Sequence, residues 1–75
     1  MQKYADVNRD SGVDSFQNNP TSIKVLFKGG SKIYVYTYSN PGQIHVEKMK
    51  KLALSGDGLN SYINKYVRKN YDHIE

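Results

Sequence analysis

The sequence predicts a small α+β domain: a three-stranded antiparallel meander followed by two helices packed on one sheet face (β-β-β-α-α). Three observations carry this reading. From Gly12 onward the first half of the chain falls into strand-length runs separated by Asn/Pro and Gly/Ser clusters. In the second half, Leu59, Tyr62, Ile63, Tyr66 and Val67 recur at the i, i+3, i+4, i+7 and i+8 spacing of a helix with one buried side. Finally, a chain of 75 residues buries only about 60% of its unfolded surface, enough for one core between a sheet and its helices.

The elements follow in order. Residues 1–11 are polar and lack periodicity, so they are expected to form a flexible N-terminal arm ahead of a single domain over 12–75. Val13 to Gln17 is a strand candidate closed by the turn cluster Gln17-Asn18-Asn19-Pro20. Ser22 to Lys28 is a clearer strand, with Ile23, Val25 and Phe27 at period two and lysines between them. Gly29-Gly30-Ser31 supplies the backbone freedom of a hairpin turn. Ile33 to Tyr38 consists of β-branched and aromatic residues only, the composition of a strand. Asn40-Pro41, with Gln43 at capping-box spacing, predicts a helix start. Its inward stripe is expected to hold Ile44, Met49, Leu52 and Ala53, with Val46 near the edge. Ser55-Gly56-Asp57-Gly58 stops that helix, and Asp57 or Ser55 can cap the next.

Hairpin register decides which residues of the two central strands face water. A two-residue loop pairs Phe27 with Lys32 and Val25 with Tyr34, which puts Tyr34 and Tyr36 among the aliphatics. A three-residue loop pairs Phe27 with Ile33 and Val25 with Val35. The second is expected, because it buries aliphatic side chains and leaves phenol groups and lysines hydrated. The open face then carries Lys24, Leu26, Lys28, Lys32, Tyr34, Tyr36 and Tyr38.

Charge sharpens that expectation. The net +4 is uneven, since residues 23–40 hold Lys24, Lys28 and Lys32 and no acid. The chain also has seven tyrosines, two phenylalanines and no tryptophan. Aromatic faces stack on unpaired bases, worth about 1–3 kcal/mol per base, and neighbouring lysines neutralise phosphates. Lys24, Lys28, Lys32, Tyr34, Tyr36 and Tyr38 are therefore the expected contacts for RNA or single-stranded nucleic acid. Tyrosines also suit an open sheet face through β propensity and cross-strand packing. A protein–protein or homodimerisation module using the same face is thus the alternative. Lys48, Lys50, Lys51 and the Lys65/Arg68/Lys69 group assist either use, although the last group also complements a helix C-terminus.

Ile23-Lys24-Val25-Leu26-Phe27, Gly29-Gly30, Tyr34-Val35-Tyr36, Ala53-Leu54-Ser55-Gly56 and Asn60 with Ile63 together resemble the KTSC domain. The likeness runs from about Gly12 to Tyr71. That family occurs as small stand-alone bacterial proteins and at the C-terminus of some lysyl-tRNA synthetases, a context that suggests RNA. The resemblance implies Tyr34 and Tyr36 as the central pair, and Gly56 and Asn60 as the inter-helix turn and helix start. Two departures stand out: the turn before Tyr34 is one residue longer than usual, and the late family tyrosine matches either Tyr66 or Val67.

Catalytic chemistry has little support. His45 and His73 are far apart, and His45 has no carboxylate at i+3 or i+4. Ser55-Gly56-Asp57-Gly58 lacks the ending of a phosphate-binding loop. Asp6, Asn8 and Asp10 echo a calcium loop, but Ser11 stands where its glycine belongs. No enzyme activity, cofactor or metal is expected. The chain has no cysteine, no apolar run near the ~20 residues of a membrane helix, and no basic-then-apolar leader. These features predict a cytoplasmic protein without membrane contact.

Overall fold

The computed structural model describes residues 1–9 and 11–75; Asp10 of the calcium-loop-like stretch lies outside them. The protein is α+β, and the described residues form an antiparallel sheet of five strands rather than three. They are β1 (Gln2–Lys3), β2 (Val13–Asn19), β3 (Ser22–Phe27), β4 (Ile33–Thr37) and β5 (His73–Ile74), adjacent in that order. Between β4 and β5 come α1 (Gln43–Ser55) and α2 (Leu59–Tyr62), the latter continuing as a π-helical turn over Ile63–Val67. The expected meander is β2–β4; the added edge strands are two residues each, too short for any periodic signal. Among the described residues no helix is long and apolar enough to cross a membrane.

The core joins Phe16, Ile23, Val25 and Tyr36 of the sheet to Val46, Met49, Ala53, Leu59, Ile63 and Val67 of the helical segments. The β3–β4 register is the one not expected: Ile23 pairs with Tyr36, Val25 with Tyr34 and Leu26 with Ile33. Tyr34 and Tyr36 therefore lie on the helix side, while Lys24, Leu26, Ile33 and Val35 occupy the other face. Magnitudes explain the outcome. Burying a tyrosine removes 150–250 Å² from water, a gross gain of about 4–6 kcal/mol. An imperfectly paired hydroxyl costs about 1–3 kcal/mol. In so small a core the ring outweighs its oxygen.

Both helices depart from the expected stripes. α1 starts after Gly42, whose φ is 114°, and has no side-chain cap, whereas Asn40 instead donates its side-chain amide to the Tyr71 carbonyl at 3.1 Å. Val46, Met49 and Ala53 are buried, but Ile44 is 85% exposed, since it lies about 200° around the helix from Val46. In the second helical segment Leu59, Ile63 and Val67 form the buried centre. Tyr62 and Tyr66 flank it, meeting His45 of α1 rather than the sheet.

Of residues 1–11, expected as a flexible arm, Gln2 to Asn8 are tied into the domain. Tyr4 is 2% exposed and stands edge-on to Phe16 at 6.3 Å. A bulge between Val13 and Ser15 frees the Asp14 carbonyl to accept from the Tyr4 N–H at 3.0 Å. The Tyr4 hydroxyl accepts from the Leu59 N–H at 3.3 Å, so a residue 55 positions away caps the second helix in place of Ser55 or Asp57. The Val7 N–H donates to the Gly56 carbonyl at 2.9 Å, and Asn8 donates to Asp57 at 2.8 Å. Gly56 has a φ of 76°, and a Cβ there would stand 2.7 Å from that of Ala5. Only glycine fits.

Deleting residues 1–11 is therefore expected to lower unfolding free energy in urea by about 3–5 kcal/mol, the cost of losing a buried aromatic ring. Gly56→Ala should cost at least about 1–2 kcal/mol from its left-handed backbone alone. It should also speed amide exchange at Val7. A truncated chain as stable as the full one would show the arm to be dispensable.

Candidate functional site

The six side chains expected on one open face are dispersed. Lys24 pairs with Glu75 at 3.0 Å and Lys28 with Asp6 at 2.8 Å. Tyr36 is 1% exposed in the core. The Tyr38 hydroxyl donates to Glu47 Oε2 at 2.6 Å, close under α1, which holds the phenol above and the carboxyl below its ordinary range. Lys32 and Tyr34 alone come together. They do so in a groove of about 710 Å³ between the Gly29–Lys32 loop and the end of the second helical segment.

Local chemistry builds each wall. At the hairpin, Gly29 takes a φ of 78° and the Gly30 N–H donates to the Phe27 carbonyl at 3.2 Å, turning the chain tightly enough to present Lys32 beside Tyr34. Across the groove, the π-helical turn sets Asn64 along the opening, with Arg68 and Lys69 just beyond it. Such wide turns recur at functional sites because they displace one residue from the regular helical phase. The Asn70 N–H closes the helix on the Val67 carbonyl at 2.7 Å, which aims Tyr71 back toward the sheet.

Three rings, Phe27, Tyr34 and Tyr71, form the apolar part of the lining, and the buried Tyr36 backs them. Phe27 and Tyr34 meet edge to face at 5.4 Å, Tyr34 and Tyr71 at 5.1 Å, and Tyr71 and Tyr36 at 6.4 Å. Each geometry matches the preferred arrangement of ring quadrupoles. Tyr36 lies deepest. Burial, reinforced by the Tyr34 and Tyr71 phenols, pushes its hydroxyl up to about 12.

The groove lining has no acid, and among the described residues none of Lys32, Arg68 and Lys69 makes an ion pair. Three uncompensated cations thus surround a partly exposed aromatic floor. Such a site favours a ligand that is both anionic and planar. No family model, curated protein or solved structure matches this chain.

Tyr71, Phe27, Asn64, Arg68 and Lys69 escaped the sequence reading as members of a common site. The Arg68/Lys69 charges were visible in sequence. Their approach to the hairpin was not, because it depends on the C-terminal tail. That tail is held by the Asp72 N–H on the Val35 carbonyl at 2.7 Å and by reciprocal Ile33–Glu75 backbone bonds. His73 bonds Asp72 at 2.6 Å and approaches Glu75 at 3.7 Å. The Asp72 contact, then Glu75, raises the imidazole above its ordinary value. Asp72 is lowered chiefly by His73, and Glu75 chiefly by Lys24.

Two pH effects follow. His73 stabilises the docked tail fully below its ordinary 6.5 and loses that effect as pH rises through its raised value. Asp72 and Glu75 contribute above their ordinary 3.8 and 4.5, and lose it as pH falls through their lowered values. Protection of the Glu75 amide, corrected for intrinsic exchange, should therefore peak between about pH 4.5 and 6.5. His73→Gln should flatten the alkaline limb; protection independent of pH would refute the linkage. Tyr36 acts at higher pH. Its stabilisation is complete below 10 and vanishes as pH rises through about 12. The Tyr38 and Tyr62 phenols are also raised, so absorbance at the tyrosinate band should show a step at about 12, or unfolding in that interval, that Tyr36→Phe removes while the other raised phenols remain.

Proposed function

We propose that this chain is a small, non-catalytic cytoplasmic module that binds RNA or other single-stranded nucleic acid in the groove lined by Lys32, Tyr34, Arg68, Lys69 and Tyr71. The observation that supports it is the meeting of three cations, without an ion pair among the described residues, with partly exposed aromatic surface at an opening lined by no acid. A base rests against Tyr34 and Tyr71, where stacking tolerates any sequence. The ribose-phosphate chain runs past Lys32, Arg68 and Lys69, and the Asn64 side chain offers amide hydrogen bonds at the rim. Compared with the face expected from the sequence, this interface keeps Lys32 and Tyr34. It exchanges Lys24, Lys28, Tyr36 and Tyr38 for residues of the helix end and tail. The likeness to the KTSC domain, with its synthetase context, supports the same ligand class.

A second reading rests on Leu26 and Ile33, half-exposed neighbours on the face away from the helices. A homodimer covering them would make the chain a protein–protein module instead.

Fluorescence anisotropy with labelled oligouridylate separates these readings. Three phosphate contacts predict that log K falls with log salt at a slope of about −2. Arg68→Ala or Lys69→Ala, both exposed in the free protein, should each shallow the slope by about 0.7. Absence of binding at low salt, together with a dimer in sedimentation, would move the assignment to the second reading.

A further inference from the structure

Beyond the groove lies a second aromatic surface, whose outermost ring, Tyr66, the fold does not use for its core. Tyr66 sits at the i+7 position of a helical pattern that begins at Leu59, yet it is 50% exposed. Its ring inclines toward Tyr62 at 4.7 Å and toward His45 at 6.2 Å. His45 Nδ1 and the Tyr62 hydroxyl are 2.8 Å apart, which fixes both rings relative to each other. The Lys65 ammonium stands 5.3 Å from the Tyr66 centroid. Tyr66 therefore belongs to a three-ring group at the seam of α1 and the second helical segment, held from below and open to water.

Charge distribution ties this group to the groove. Residues 58–71 carry Lys65, Arg68 and Lys69 and no acid. Arg68 and Lys69 line the groove, whereas Lys65, one turn earlier, reaches Tyr66. On α1 the exposed Lys48 follows His45 by one turn. The nearest acid in sequence, Glu47, is already bonded to Tyr38 and Lys50. Lys65 and Lys69, four residues apart on the same segment, thus place positive charge at both aromatic surfaces.

Resting on the groove assignment above, we infer that the ligand is a strand of several nucleotides rather than a mononucleotide, with a second base stacking on Tyr66 beside His45. The exposed cation–π contact of Lys65 is the weaker interaction, so a base displaces the ammonium from the ring. Lys65 then turns to a phosphate between the two stacked bases. Tyr62 and His45 act as positioning residues that keep the Tyr66 ring presented.

A length series tests this. Uridine monophosphate, a dinucleotide and a decanucleotide are titrated against the wild type, Tyr66→Ala, Tyr66→Phe and Arg68→Ala. Tyr66→Ala should weaken the decanucleotide about tenfold and leave the monophosphate unchanged, since one stacked base is lost. Tyr66→Phe should retain wild-type affinity, because the ring and not the hydroxyl carries the contact. Arg68→Ala should weaken all three ligands. If Arg68→Ala weakens binding while Tyr66→Ala has no effect at any length, or the same effect at every length, the second stacking surface is refuted and the groove stands. If the wild type binds none of the three, both assignments fail.

Discussion

Pairing of Val25 with Tyr34 across the central hairpin determines where the aromatic rings of this protein go. With that register Tyr36 enters the core opposite Ile23, Tyr34 reaches the rim, and Tyr38 passes under α1 to Glu47. A shift of one residue would exchange both faces of β4 and send Ile33 and Val35 inward. The ring series Phe27–Tyr34–Tyr71–Tyr36 would then lose its middle, and the C-terminal tail would have nothing aromatic to pack on. Groove, tail and core are consequences of one hydrogen-bonded alignment.

The two chain ends have complementary roles around that hairpin. The first eight residues fasten the turn between the helices, with Tyr4 supplying both a buried ring and the acceptor for the first amide of the second helix. The last residues fasten the far edge of β4 and bring Tyr71 against Tyr34. A domain this small has too little interior to leave its termini unused. The tail also couples two otherwise separate properties, since the contacts that hold β5 position one wall of the groove.

Much of this was legible in the sequence. The three long strands appear within one or two residues of their observed bounds, and so does the helix stop at Gly56. The buried line Leu59–Ile63–Val67 is plain from spacing alone, as is the association of Lys32 with Tyr34. What could not be read depends on distant partners. Lys24 and Lys28 look like free surface cations until Glu75 and Asp6 fold against them from the two ends of the chain. Register turned on weighing a phenol hydroxyl against its ring, and the ring that tips the balance, Tyr71, lies far along the chain. Two-residue strands leave no periodicity to detect, so β1 and β5 read as loose ends.

Those short outer strands have another consequence. β1 and β5 each shield part of a longer neighbour's backbone with only a pair of residues, and their side chains are polar or charged apart from Ile74. They act as lids on polymerisable edges: too brief to recruit a further strand, long enough to occupy donors and acceptors of β2 and of β4 that would. Clipping residues 72–75 would therefore do more than loosen a tail. It would uncover Ile33–Thr37, a run of β-branched and tyrosine residues without charge, as a template for strand-to-strand self-association.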